Sequence, residues 1–173
     1  MTLDIQARLS NAPLGVVSVD GGDLKVVFTR RYNKPAAKVW SAVTTPERLA
    51  DWLAQATYEP RVGSGITLSW NKGAHVMTGK VTAYDPPRVF AFTWPLDGRD
   101  TQVRFDIAPD GEGAAILTLS HSGLDAHGWG SGVRAGWHAH LEGLVEAMEG
   151  RATPWAVKTE REQTLQARYP KLG

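Results

Sequence analysis

Residues 134–144, RAGWHAHLEGL, place an indole, Trp137, and two imidazoles, His138 and His140, on a stretch with helical residue types. A metal site, a catalytic base, a ligand cavity and an ordinary packed core can all be written that way. Spacing argues against the first. Residues two apart on a helix point ~200° apart, so His138 and His140 do not ligate one ion. His121, at a strand end, and His127, in a loop, have nothing to fix a shared geometry with them. The histidines read as structural or surface residues, and no metal or cofactor is expected. His140, at the edge of the apolar stripe, has two readings. It offers a ligand a polar handle, or it donates to a backbone carbonyl as a paired core histidine.

Nucleophilic and acid–base chemistry leave no signature. The chain has no Ser-His-Asp motif on an elbow and no carboxylate pair that spacing nominates. GWGSG at 128–132 precedes a helix but lacks the lysine of a P-loop, so it reads as a hinge with Trp129 as a gate, or as a solvated loop. Arg30, Arg31, Arg61, Arg88 and Arg104 read as solvated charges or partners of Asp51, Asp85 and Asp106. What stands out is aromatic. Trp52, Trp70, Met77, Phe92, Trp94, Phe105 and Trp137 either wall an apolar pocket or fill a core. Leu141, beside Trp137 on the helix stripe, and His140 complete that candidate ligand-binding set.

These residues need elements to position them. LGVVSV (14–19) and LKVVFTRR (24–31) flank DGGD, a hairpin over about 14–31. NKPAAKVWSAV and TTPERLADWL read as two short helices, the second with Thr45 as N-cap and Pro46 as first residue. From about 57 to 121, turn signals cut the chain into an antiparallel meander. Thr101, Val103, Phe105 and Ile107 alternate with polar residues, as do Phe90, Phe92 and Trp94, and Ile66, Leu68 and Trp70. HSGLDAHGWGSG reads as a glycine-rich loop. A long helix over about 131–149 ends at Gly150, and Thr153-Pro154 starts an amphipathic helix over about 154–168.

At 173 residues, with 42% hydrophobic and 21% charged residues, the composition is that of one globular domain, 1–173. A formal net charge of +1 gives no basic excess for nucleic acid. The absence of cysteine excludes disulfides, thiolate chemistry and zinc ribbons. The amino terminus has no apolar core of a secretory signal and no run suits a membrane span, so a cytoplasmic location is expected.

The series FTRRYNKPAAKVWSAVTTPERLADWL, VGSGITLSW, GKVTAYDPPRVFAFTW, ILTLSHSGL and AGWHAHLEGLVEAM resembles the START-like (SRPBCC, birch-pollen-allergen-like) superfamily. Within it, the chain is similar to the domain found in the C-terminal half of activators of the heat-shock protein 90 ATPase. The combination VW-x-A-V-T-x-P-E-x-L-x-x-W, then D-P-P, then GW on the long helix carries the likeness, over nearly the whole chain. Trp155 and Tyr169 match a closing W-x₁₃-Y that stand-alone bacterial members often carry. The resemblance implies an α+β helix-grip fold: a curved antiparallel sheet around a long C-terminal helix, with two short helices after the first strands. It also implies a sheet–helix cavity for apolar small molecules. Three functions follow as expectations. The first is non-enzymatic binding of an apolar or amphipathic small molecule or lipid. The second is a co-chaperone or stress-response role with a chaperone or other protein partner, against which the chain leaves no room for the activators' additional N-terminal domain. The third is a cyclase- or hydrolase-like enzyme.

Overall fold

The computed structural model describes residues 12–127 and 130–169. Strands β1 (Val16–Asp20) and β2 (Asp23–Tyr32) form the opening hairpin, with Gly21 and Gly22 at φ +58° and +91° in the turn. Positive φ at both turn residues matches the strand twist and favours glycine. Helices α1 (Ala36–Thr44) and α2 (Pro46–Trp52) follow. Thr45 precedes α2 as expected, but its side chain makes no cap bond. Its hydroxyl lies 3.2 Å from that of Ser41, and its carbonyl accepts from the amides of Arg48 and Leu49.

The meander is β3 (Gln55–Tyr58), β4 (Gly65–Trp70), β5 (His75–Asp85), β6 (Val89–Leu96), β7 (Arg99–Pro109) and β8 (Ala115–Asp125). The strands pair in the order β1-β2-β8-β7-β6-β5-β4-β3, all antiparallel. Register shifts at Leu24/Val26 and Val81/Ala83 bend the sheet, as bulges do. A Cβ on Gly79, just before the second bulge, would lie 2.0 Å from the Thr93 carbonyl oxygen, so no side chain fits where β5 meets β6.

Two boundaries differ from the sequence reading. β8 continues through HSGLD to Asp125 instead of opening a loop at His121, because Gly123 takes φ +75° opposite the Leu24/Val26 shift and lets pairing resume at Leu24–Leu124. The long helix, α3, is Gly130–Met148, and α4 is the shorter Trp155–Gln166. Gly150, at φ +80°, ends α3 as expected. Trp129, the expected gate, lies outside the described residues.

The alternating residues face inward. Val103, Phe105, Ile107, Phe90, Phe92, Ile66 and Leu68 are all buried, and they form one core with Leu49 and Trp52 of α2 and with Leu141, Leu144 and Met148 of α3. This is the α+β helix-grip arrangement. The strand arginines pair locally on the surface: Arg88 with Asp85, Arg104 with Asp106 and Arg31 with Asp110. Asp51 instead pairs with Arg48, three residues before it on α2. No helix among the described residues is long and apolar enough to cross a membrane.

Candidate functional site

A two-residue repeat puts Phe90, Phe92 and Trp94 on the inner face of β6, and register puts Trp94 opposite Thr101 and Phe92 opposite Val103. On the neighbouring part of the sheet the same repeat turns Trp70 inward at the end of β4, where its ring lies 5.4 Å from that of Trp94. Trp137 then descends from α3 and meets Trp94 edge-on at 5.5 Å and Phe105 at 6.2 Å. Phe105 in turn receives Trp52 at 6.1 Å. Trp70, Trp94, Trp137, Phe105 and Trp52 therefore form one continuous run of aromatic contacts. The run is buried at the Trp52 end and partly accessible at Trp70 and Trp94.

A buried polar chain fixes the middle of this run. The Trp137 indole N–H donates to His121 Nδ1 at 3.0 Å, so the neutral ring carries its proton on Nε2. That nitrogen lies 2.7 Å from the Thr101 hydroxyl, a diagonal cross-strand neighbour, and the hydroxyl donates to the Trp94 carbonyl. Every donor has an acceptor, and the chain ties the Trp137 indole at one end to the Trp94 backbone at the other. Burial lowers the His121 pKa to about 4, so the imidazole is neutral at physiological pH.

The two histidines of α3 are also tied inside the chain. His140 Nδ1 lies 2.9 Å from the Trp52 carbonyl, which only accepts, so this nitrogen carries the proton. His138 lies on the other side of α3, wholly enclosed, with Nδ1 2.7 Å from the Tyr169 hydroxyl. The Gly15 amide donates to the same Tyr169 oxygen at 3.1 Å. With Tyr169 donating to Nδ1, the Nε2 proton of His138 lies toward Glu142 Oε1. At 3.7 Å that contact is too long for a hydrogen bond and leaves Nε2 without a partner. Arg161 of α4 grips Glu142 with two bonds of 2.7 and 3.0 Å. Burial, first, lowers both histidines to about 4. The guanidiniums of Arg30, Arg168 and Arg161 add to the effect at His138, and the Lys158 ammonium adds at His140. This second network clamps α4 and the C-terminal segment onto α3.

A surface pocket of about 250 Å³ opens beside the end of α2. Leu53, Ala54 and Gln55, Ser69 to Asn71, and Thr153 to Trp155 line it, with Lys158 of α4. The ammonium donates to the Trp52 carbonyl at 3.2 Å, the same oxygen that His140 uses.

The expected site residues thus separate by depth. Trp52, Phe92, Phe105 and Leu141 are enclosed, with at most 2% of their surface exposed, and Trp137 and Met77 are nearly so. Trp70, Trp94 and His140 stay partly accessible. The indole N–H groups of Trp137 and Trp52 are used internally, the first by His121 Nδ1 and the second by the Ala42 carbonyl at 2.8 Å. His140 takes the backbone-carbonyl alternative. Sequence reasoning missed Thr101 and His121 as a pair, although both are polar residues on inward positions of otherwise apolar alternations. It missed Lys158 and Glu142 because each looks like a solvated helix charge. Among the described residues, no three histidine or acidic side chains converge as metal ligands.

The family model for activator of Hsp90 ATPase homolog 1-like proteins matches residues 33–149. The chain belongs to that family. No curated protein matches it significantly. Among solved structures, CalU16 from Micromonospora echinospora is 23% identical with a TM-score of 0.66, over 88% of this chain and 94% of its own. A conserved protein of unknown function, EF2215, from Enterococcus faecalis is 15% identical with a TM-score of 0.70, over 98% of both chains. PFC0360w, an HSP90 activator from Plasmodium falciparum, is 19% identical with a TM-score of 0.61, over 73% of this chain and 96% of its own. At these identities the likeness establishes the fold.

Proposed function

We propose that this family member is a binding protein for an apolar or amphipathic small molecule, received at the open end of the aromatic run between sheet and long helix. One observation carries the reading. Trp70 and Trp94 remain partly accessible while their rings adjoin each other and Trp94 packs edge-on against a buried, hydrogen-bond-fixed Trp137. Large rigid rings left half-solvated at the end of a core offer contact area at little entropic cost, which is what an apolar ligand needs. A neutral fluorescent probe, N-phenyl-1-naphthylamine, tests it. Saturable binding that quenches tryptophan emission and weakens at least ten-fold in Trp70→Ala and Trp94→Ala supports the reading. Absence of saturable binding overturns it.

The family match and the fold of an HSP90 activator favour a second reading, a protein-interaction module acting on a chaperone. Its test is direct stimulation of the chaperone ATPase.

A further inference from the structure

We propose that the pocket at the end of α2 is a second binding site, for a small organic carboxylate, with the Lys158 ammonium as its anion anchor. The site goes beyond the reading above, with Trp70 the residue common to both. Four observations point to it. First, Lys158 is 7% exposed, and burying an ammonium is costly unless a counter-charge accompanies it. Second, among the described residues its only hydrogen-bond acceptor is the neutral Trp52 carbonyl, and no carboxylate forms an ion pair with it. An ammonium has three N–H donors, so two remain for a ligand. Third, the neighbouring titratable ring does not supply the missing charge. His140 already donates to the same carbonyl and is neutral, and Lys158 is among the causes of its lowered pKa. Fourth, Lys158 is one of the residues that line the concavity. The pocket's ~250 Å³ falls just below the ~300–1,000 Å³ of ordinary ligand pockets, which suits a molecule of one or two rings.

The walls suggest how such an anion would lie. Trp155, whose ring centre is 6.0 Å from the ammonium, and Pro154 present apolar surface to a ring. Gln55 and Thr153 add hydrogen-bonding groups at the rim. The same desolvation lowers the Lys158 pKa to about 8, so a bound carboxylate would restore the charge that burial disfavours.

The test compares 2-naphthoate with its neutral isostere 2-naphthamide by isothermal titration on the full chain. The wild type should bind the carboxylate at least ten-fold more tightly than the amide. Lys158→Met should remove that preference, while Lys158→Arg retains part of it and N-phenyl-1-naphthylamine binds both variants as it binds the wild type. Should Lys158→Met fail to fold, intermolecular nuclear Overhauser contacts from naphthoate to the Lys158 methylenes and the Trp155 ring in the wild type decide the point. Equal binding of naphthoate and naphthamide, no binding of either, or a preference that survives Lys158→Met overturns the carboxylate site. If N-phenyl-1-naphthylamine still binds, the aromatic-run reading survives that outcome. If the naphthoate preference holds but the neutral probe fails, only the aromatic-run reading falls.

Discussion

Acidification from pH 7 to pH 5 should unfold this protein far more readily than its carboxylates alone would predict. Three histidines, His121, His138 and His140, are held neutral in the folded chain with pKa values of about 4, because burial penalises the imidazolium in each case. Unfolded, each returns to about 6.5. A base with a lowered folded pKa binds more protons when unfolded, so stability is full above the unfolded value and is lost as pH falls toward the folded one. Between pH 7 and pH 5 each such histidine costs ~2 kcal/mol, and three cost ~5–6 kcal/mol, against ~5–15 kcal/mol for a whole domain. Near pH 5 unfolding should take up close to three protons, for a slope of roughly 3–4 kcal/mol per pH unit.

Other groups do not mimic this. Glu149, held low by its hydrogen bond to Lys34, titrates below the window. Glu162, whose carboxyl burial raises, acts with the opposite sign and is one group against three. Urea unfolding followed by tryptophan emission at half-unit pH steps measures the slope. His140→Leu leaves Lys158 on the Trp52 carbonyl and should reduce proton uptake by about a third. An unfolding free energy that stays within ~1 kcal/mol from pH 7 to pH 5 would refute the claim that the fold holds these rings neutral.

Trp137→Ala should cost ~3–5 kcal/mol in urea unfolding, because it empties a buried site and strips the donor from His121 Nδ1. Tyr169→Phe should cost ~1–3 kcal/mol, since His138 Nδ1 and the Gly15 amide lose one shared partner, and amide exchange at Gly15 should accelerate. Stability should rise between pH 8 and about 10, where the unfolded chain still protonates Lys158 and the folded chain does not. That rise should be absent in Lys158→Met. Added to a bacterial Hsp90, the chain should leave the ATPase rate unchanged; a saturable, several-fold stimulation would put the protein-interaction reading first.

The inner faces of the sheet were legible because a period of two writes burial directly into the chain. Thr101, Val103, Phe105 and Ile107 alternate with polar neighbours, and the fold turns all four inward. The hairpin at Gly21-Gly22 and the stop at Gly150 were legible for a related reason, since positive φ restricts residue choice locally. The end of β8 was not. Gly123 there serves a bulge that depends on a partner strand about a hundred residues earlier, and a glycine read alone looks like a loop.

The candidate site divides the same way. Its aromatic wall can be found in sequence, because Trp and Phe at inward positions have few alternatives to burial. Its polar fixings cannot, because each joins residues that only the tertiary fold brings together: Thr101 with His121, His138 with Tyr169, and Lys158 with the Trp52 carbonyl, 106 positions apart. On a helical wheel Lys158 is a charge like its neighbours Glu160 and Arg161. What distinguishes it is the end of α2, which places one carbonyl between an imidazole and an ammonium that forms no ion pair with a carboxylate among the described residues. A sequence records where charges are, whereas an uncompensated charge exists only once the walls around it have closed. A buried ammonium with no ion-pairing carboxylate among the described residues is therefore the feature that supports the proposal of a ligand carrying the missing anion.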